Sequence, residues 1–379
     1  MKRFKSKEKC IIIGGGLAGL ISSIDLKQRG YEVELIEKRR YPFHRVCGEF
    51  ISNEVRPYLF SLGIFPHEIN YVNIDQFILS SETGRFAQCR MQMGGLGISR
   101  YSLDHFLYTK ALQNGVLFTE ATVEEVVFED SHFKVRLANS EERQAALVIG
   151  AFGKRSALDK RLNRAFMKER SAYMGIKWHM YAELPANTVA LHHFRGGYAG
   201  LSRVEEGKVN FCYLTTGDVF RQYRDIDDME AGLLRKNPHL DDFLSSATRA
   251  FEKPEVISQV SFAAKAAVEE HILMCGDAAG LIHPLCGNGM AMAIHSAMLA
   301  CSEADRFLSG KVSRLEMERA YSRQWKKAFH TRLTFGKYAQ KLMESPPLFA
   351  GAIRLATASP YLLKKAVGLS HGKPLLQRA

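Results

Sequence analysis

The stretch "IIIGGGLAGLISSIDLKQRGYEVELIEKRR" spans residues 11 to 40. It reads as an apolar strand, a glycine turn, an amphipathic helix and a second strand that ends in an acid. Gly14, Gly16 and Gly19 fit G-x-G-x-x-G. In that pattern the first glycine makes the sharp turn, the second lets backbone approach a pyrophosphate, and the third lets helix and strand pack closely. A helix beginning near Leu17 presents free N–H groups and its positive dipole end to those phosphates. Glu37 closes the second strand where a carboxylate reaches both hydroxyls of an adenosine ribose. The unit predicts a dinucleotide site and leaves NAD and FAD open.

Composition narrows the class. A chain of 379 residues with 46% apolar content exceeds a usual single domain and can bury a large core. Its seven cysteines, at 10, 47, 89, 212, 275, 286 and 301, are scattered and contain no C-x-x-C. That pattern argues for reduced thiols in a cytoplasmic protein and against a disulfide framework or a zinc site. No uninterrupted apolar run reaches the roughly 18 residues of a membrane span. The basic N-terminus MKRFKSKEK runs straight into the first strand, which argues against a signal peptide.

The net charge of +12 is concentrated at one end: residues 311–379 hold fourteen Lys or Arg against three Glu, a net +11. Basic and apolar residues interleave there in helical patterns, "YSRQWKKAFHTRLTFGKYAQKLM", "LFAGAIRLA" and "YLLKKAVGL". One reading is a solvated face; the other is a docking surface for an acidic carrier protein or an anionic membrane. The segment carries no nucleic-acid-binding motif. Docking without chemistry is the role expected of it.

Between the ends the pattern changes twice. "SRYSLDHFLYTKALQNG" (99–115) predicts a helix with Ser102 as N-cap and Arg100 just before it. A three-stranded meander follows and leads into an apolar strand ending at Gly150, an insertion foreign to a plain NAD dehydrogenase. Residues 172–214 alternate as antiparallel strands of a second sheet, and a helical pattern continues to about Arg249. His192 and His193 are adjacent strand residues on opposite faces, so they do not converge on a metal.

"HILMCGDAAGLIHPLCGNGMAMAIHSAMLA" (271–300) resolves the cofactor. A strand ends in Gly276-Asp277, and Gly287-Asn288-Gly289 opens an Ala/Met-rich helix containing Met290. A strand-end carboxylate suits ribityl hydroxyls, and a helix start suits the electron-rich edge of an isoalloxazine. NAD offers neither group, so the expected dinucleotide is FAD.

With these blocks in view, the chain resembles the FAD-dependent oxidoreductases of the p-hydroxybenzoate hydroxylase and geranylgeranyl reductase-like superfamily, over about residues 9–310. The resemblance implies a mixed α/β fold: a Rossmann-like FAD-binding domain with a meander insertion, an antiparallel-sheet substrate domain, and a helical C-terminus. The expected domains are 1–75, 97–156 and 263–310 for FAD, 76–96 and 157–262 for substrate, and 311–379 as the basic C-terminal region. It also implies roles. Gly14, Gly16, Leu17, Ala18 and Gly19 hold the pyrophosphate, Glu37 with Lys38 beside it the ribose, and Arg100 the phosphate and ribityl region. Val123 meets the adenine through its backbone, Gly276 and Asp277 the ribityl chain, and Gly287, Gly289 and Met290 the flavin O2 edge.

Two departures bear on the reaction. Where aromatic hydroxylases carry Ala-Asp-Gly after the meander, this chain has Ala151-Phe152-Gly153, so direct reduction by NAD(P)H is open and a separate reductase is an alternative. The Trp-x-Trp-x-x-Pro signature of halogenases is absent, the only tryptophans being Trp178 and Trp325, which argues against halogenation. "HRVCGEFIS" (44–52) is similar to the Cys-Gly segment of geranylgeranyl reductase-like proteins, and Cys47 with Arg45 becomes the catalytic candidate at the flavin edge. The expected substrate is an apolar aromatic, polyketide or isoprenoid, with carrier-bound and membrane-borne forms open, lying between flavin and second sheet. Tyr198, Phe211, Tyr213 and Met180 are its candidate contacts, and alternation leaves open which sheet face turns inward. A monooxygenase is the first reading, a C=C reductase or dehydrogenase the alternative, and a redox-inactive carrier of lipidated proteins the third. The expected location is the cytoplasm, with a possible peripheral membrane association.

Overall fold

The computed structural model describes residues 8–169 and 171–376, so most of the basic N-terminal run lies outside the described residues. The glycine unit sits at the middle of a six-stranded sheet. Its order is Val268–Glu269, Ile272–Met274, Leu147–Gly150, Lys9–Ile13, Glu32–Glu37 and Leu117–Glu120, parallel except for the pairing of the first two. Ile11, Ile12, Leu35, Val148 and Leu273 are completely buried, as expected of parallel strands covered on both faces. Helices Leu17–Gln28 and Gly289–Leu308 pack against each other beside this sheet. The predicted meander is present as Val123–Glu129, His132–Leu137 and Glu142–Ala145, and its Phe133 and Val135 join the same core.

A nine-stranded second sheet is built on Tyr173–Tyr181, Lys208–Thr216, Gly197–Arg203, Thr188–Phe194, Val72–Ser80 and Phe86–Gly97. Short strands Thr248–Arg249 and Phe50–Ser52 close its edges, and Glu255–Val260 pairs with Tyr173–Tyr181. Residues 50–52 and 72–75 therefore belong to the second sheet, although they fall inside the segment expected to be wholly FAD-binding. Period-two alternation gives the sheet two distinct faces. One carries Ile176, Trp178, Met180, Leu201, Phe211 and Tyr213, which form a closed core with Met229, Leu233, Leu240 and Phe243 of the following helical segment. The other carries Lys177, His179, Tyr198, Asn210, Cys212 and Leu214 and looks back toward the first domain.

Helix Arg314–Met343 lies along Gly289–Leu308 and buries Met317, Tyr321, Trp325 and Phe329 in the first core. Helices Pro346–Ala358 and Pro360–Ser370 then fold back over the second sheet. Phe349 and Ile353 pack with Met343 on Leu191, Tyr198 and Leu214, and Leu363 packs on Ala87 and Cys89. The basic C-terminal helices thus pack on the body of the protein through one stripe. That stripe roofs the sheet face that turns toward the first domain.

Candidate functional site

The glycine turn meets its predicted steric demands. Gly14 has φ +100°, and a Cβ there would lie 2.5 Å from the Ala151 carbonyl oxygen; a Cβ on Gly19 would lie 1.9 Å from the carbonyl oxygen of Gly14. Gly16 differs, since its Cβ direction meets only an Arg100 nitrogen at 3.8 Å. Space above the loop is therefore kept open beneath a guanidinium. No side chain caps the helix start at Leu17 and Ala18, so its N–H groups remain available to an anion. Glu37 is buried and accepts the Gly15 N–H at 2.8 Å, while Lys38 beside it is exposed. Val123 begins the meander, two residues beyond Ala121, whose N–H bonds the Glu37 carbonyl at 3.1 Å.

The second motif folds onto the first. Gly276, with φ +59°, sits so close that an added Cβ would come within 3.2 Å of Ala18. Asp277 is half-buried, and its carbonyl accepts the Lys265 amine at 2.8 Å. Burial pushes that amine down to about 8, against the opposing pull of Asp277 and Asp159. Gly287 takes φ +61° and leads into helix Gly289–Leu308, whose start at Gly289 and Met290 also lacks a side-chain cap. Two open helix N-termini and two acids, more than 230 residues apart in the chain, thus converge.

Arg100 stands at the loop as predicted, but as the first residue of helix Arg100–Gln113. The N-cap is Ser99, whose hydroxyl accepts the Ser102 N–H, rather than Ser102. The Arg100 guanidinium makes two hydrogen bonds of 2.7 Å to Asp104 and also contacts Cys47. Arg45 does not join Cys47 at a flavin edge. It bonds Asp104 at 3.0 Å, the Gly15 carbonyl at 3.2 Å and Glu37 at 3.4 Å, and stacks on Phe43, which places it beside the glycine loop and the acid that ends the second strand. Tyr41, which sequence reading passed over, donates its hydroxyl to the Gly15 carbonyl and stacks on Tyr108.

Past Cys47 the chain reaches a feature that sequence reading missed. Glu49 is fully buried with a left-handed backbone, φ +54°. Its carboxylate accepts from the Lys177 amine, from His179 Nε2 at 2.6 Å and from the Arg100 N–H at 2.8 Å. Burial alone would raise this carboxyl; the Lys177 and His179 charges and hydrogen bonds outweigh it and hold the group well below the usual carboxylate range. His44 lies edge-on to His179 at 5.1 Å, and burial beside Lys177 and His179 pushes its imidazole down to about 4. Asn210 bonds the Cys47 carbonyl at 3.2 Å and Ser202 the Gly48 carbonyl at 3.0 Å. Segment 44–49 is therefore stitched to the second sheet along the face bearing Lys177 and Cys212.

Of the four proposed substrate contacts, only Tyr198 is on that face. Phe211, Tyr213 and Met180 point the other way into the closed core, where Tyr213 bonds Glu230 at 2.7 Å, because strand alternation assigns neighbouring residues to opposite faces. Tyr198 lies in an apolar patch with Leu191, Leu214, Leu281, Phe349 and Ile353. Its hydroxyl and Nε2 of nearby His283 are both buried and make no hydrogen bond within the described residues. His192 and His193 diverge, one bonding Ser80 and the other the Met343 carbonyl.

A family profile described as "NAD(P)-binding Rossmann-like domain" matches residues 12–65. The solved structure of the flavin-dependent brominase Bmp2 superposes with a TM-score of 0.79 at 16% identity, covering 96% of this chain and 93% of that one. The fold is that of the flavin-dependent halogenases. Among curated relatives, Conditioned medium factor receptor 1 of Dictyostelium discoideum is 23% identical over 76% of this chain. Tryptophan 2-halogenase of Chondromyces crocatus is 20% identical over 84% of it. The chain spans 61% and 65% of the lengths of these two relatives. The halogenase fold lies within the superfamily that the sequence resembles, and the missing tryptophan signature bears on halogenation and not on the fold. That signature does not govern the fold: Trp178 is committed to Glu230 in the closed core and Trp325 to Gly280.

Proposed function

We propose that this chain binds FAD and acts as an oxidoreductase of the halogenase-like, oxygen-using kind, on an apolar substrate held against the Tyr198 face of the second sheet. The observation that carries the reading is the seam itself. Segment 44–49 runs from the dinucleotide loop to a buried Lys177–Glu49–His179 cluster on the substrate sheet, so cofactor site and substrate sheet are built as one unit. When bound, FAD would supply the redox chemistry, the protein providing position, charge and a dry site.

The chain's own residues divide that work. Arg100, Arg45 and the two helix starts hold anionic groups, while Glu37 and Asp277 suit hydroxyls. Lys177 and His179 keep donors beside the seam, and the patch around Leu191, Leu214 and Phe349 excludes water. The unpartnered Tyr198 hydroxyl and His283 nitrogen call for a substrate with one hydrogen-bonding group on an otherwise apolar body, because an unpaired buried polar group costs about 1–3 kcal/mol.

Halogen transfer is the form that the tryptophan 2-halogenase and the brominase favour, two of the three similar proteins named. Hydroxylation is the second reading, favoured by the absence of the tryptophan signature. The test is to record FAD content and flavin reduction by NADH, NADPH or a separate flavin reductase. An electron-rich aromatic or polyketide analogue is then supplied with oxygen, with and without bromide. A halide-dependent brominated product supports halogenation, an oxygenated product supports hydroxylation, and alkene reduction without oxygen overturns both. Colourless protein that cannot take up FAD would sink the whole proposal and revive the carrier reading.

A further inference from the structure

The last two helices bury one stripe and expose another of unusual composition. Phe349, Ile353 and Leu363 face inward. Leu348, Leu355, Leu362 and Leu369 are 62, 64, 49 and 50% exposed, and Leu376 beyond them is 80% exposed. These leucines recur every seventh residue, so within each helix they share one flank of the buried stripe. Lys341, Arg354, Lys364, Lys365 and Lys373, also exposed, are interspersed with them along the chain. The one acid between residues 341 and 376, Glu344, is engaged by Tyr173 at 2.6 Å. Exposed leucines interleaved with exposed cations are the composition of a helix lying in the headgroup region of an anionic bilayer.

We propose that helices Pro346–Ala358 and Pro360–Ser370 form a docking face for an anionic membrane surface. A second copy of the chain fits less well, since it would set five cations against five, and the break at Ser359-Pro360 interrupts any continuous leucine seam. No described helix is long and apolar enough to cross a membrane, so the contact is interfacial. The same helix that faces the lipid with Leu348 and Leu355 roofs the Tyr198 patch with Phe349 and Ile353. An apolar substrate dissolved in the bilayer then meets the roof of its pocket at the lipid surface. This face is distinct from the open groove of about 830 Å³ on helix Arg314–Met343, which Arg319, Arg323, Lys326, Lys327 and His330 line.

Vesicle flotation tests the assignment, using equal parts phosphatidylglycerol and phosphatidylcholine against phosphatidylcholine alone. Wild type should float with the anionic vesicles, and less at high salt. Lys364→Gln/Lys365→Gln should weaken binding roughly thirtyfold, at about fivefold for each headgroup-level cation. Leu355→Ser/Leu362→Ser/Leu369→Ser should abolish it with the melting temperature unchanged, while Lys326→Gln/Lys327→Gln should bind as wild type does. In Leu369→Trp, the emission of the new indole should shift to the blue when anionic vesicles are added, a readout that needs no loss-of-function variant. Absence of binding at low salt, an unshifted Leu369→Trp emission, or a triple-serine variant that floats normally but loses a dimer would each overturn the assignment.

Discussion

Glu49 shows how much one side chain is asked to hold. It brings together a lysine, a histidine and a helix N-terminus, and the first two lie 128 and 130 positions further along the chain. Glu49→Gln leaves Lys177 buried without a counter-charge, and breaking such a pair costs about 3 kcal/mol or more, so the melting temperature at neutral pH should fall markedly. The pH dependence has a definite sign. Because the folded carboxyl lies below its unfolded value of about 4.3, the stability it contributes is complete above that value. It is lost as pH falls through the depressed folded value. Melting curves of wild type and Glu49→Gln should therefore converge in acid; a constant gap across pH would refute the assignment. Tyr198→Phe removes a buried hydroxyl that has no partner, so the protein without substrate should be as stable as wild type or more so, by about 1 kcal/mol, while substrate binding weakens. A large drop in stability would mean that the hydroxyl is a structural group. Gly16→Ala meets open space, so the chain should fold but bind FAD poorly; Gly19→Ala strikes the Gly14 carbonyl and should harm folding itself.

At the scale of elements, the legible parts were those whose signal is local. The glycine turn, the acid at the end of the second strand and the meander all show in runs of ten to forty residues, because turn geometry and strand alternation are short-range. The cap falls at Ser99 and not at the expected Ser102, since both precede an apolar run at compatible spacing and only the hydrogen bond decides. The inward face of the second sheet was unreadable for a different reason. Each face carries large apolar side chains, one closing a core with helices and the other mixing Tyr198 and Leu214 with Lys177, His179 and Asn210, so alternation separates the faces without saying which one meets a substrate. The inner face of helix Pro346–Ala358 was illegible because its four large apolar positions look alike in sequence; tertiary packing alone separates Phe349 and Ile353 from Leu348 and Leu355. Phe349→Ala should cost about 3 kcal/mol and admit water to the Tyr198 patch. If it melts as wild type does, the roof is not packed as described.

Over the whole molecule, a buried pair fastens the C-terminal region down. Arg332 bonds the fully buried Glu54 at 2.8 Å, and the Glu54 backbone carbonyl also receives the Leu375 N–H at 2.8 Å. Its partner lies 278 residues away, a separation at which no spacing rule operates. Arg332→Ala should leave the glycine turn intact yet make residues beyond 343 the first cut in limited proteolysis; an unchanged cleavage pattern would show that the helices stay docked by apolar contact alone. Segment 44–49 ties the molecule together in the other direction, since Arg45 answers to the dinucleotide loop and Glu49 to Lys177 on the far sheet. Recombining this fold with a relative's substrate sheet is thereby constrained. A chimera with its crossover between residues 49 and 173 would inherit a Glu49 from one parent and positions 177 and 179 from the other. Breeding new substrate preference into the scaffold therefore means exchanging those positions as one set, and libraries that vary the sheet alone will lose most members to a stranded charge before any of them meets a substrate.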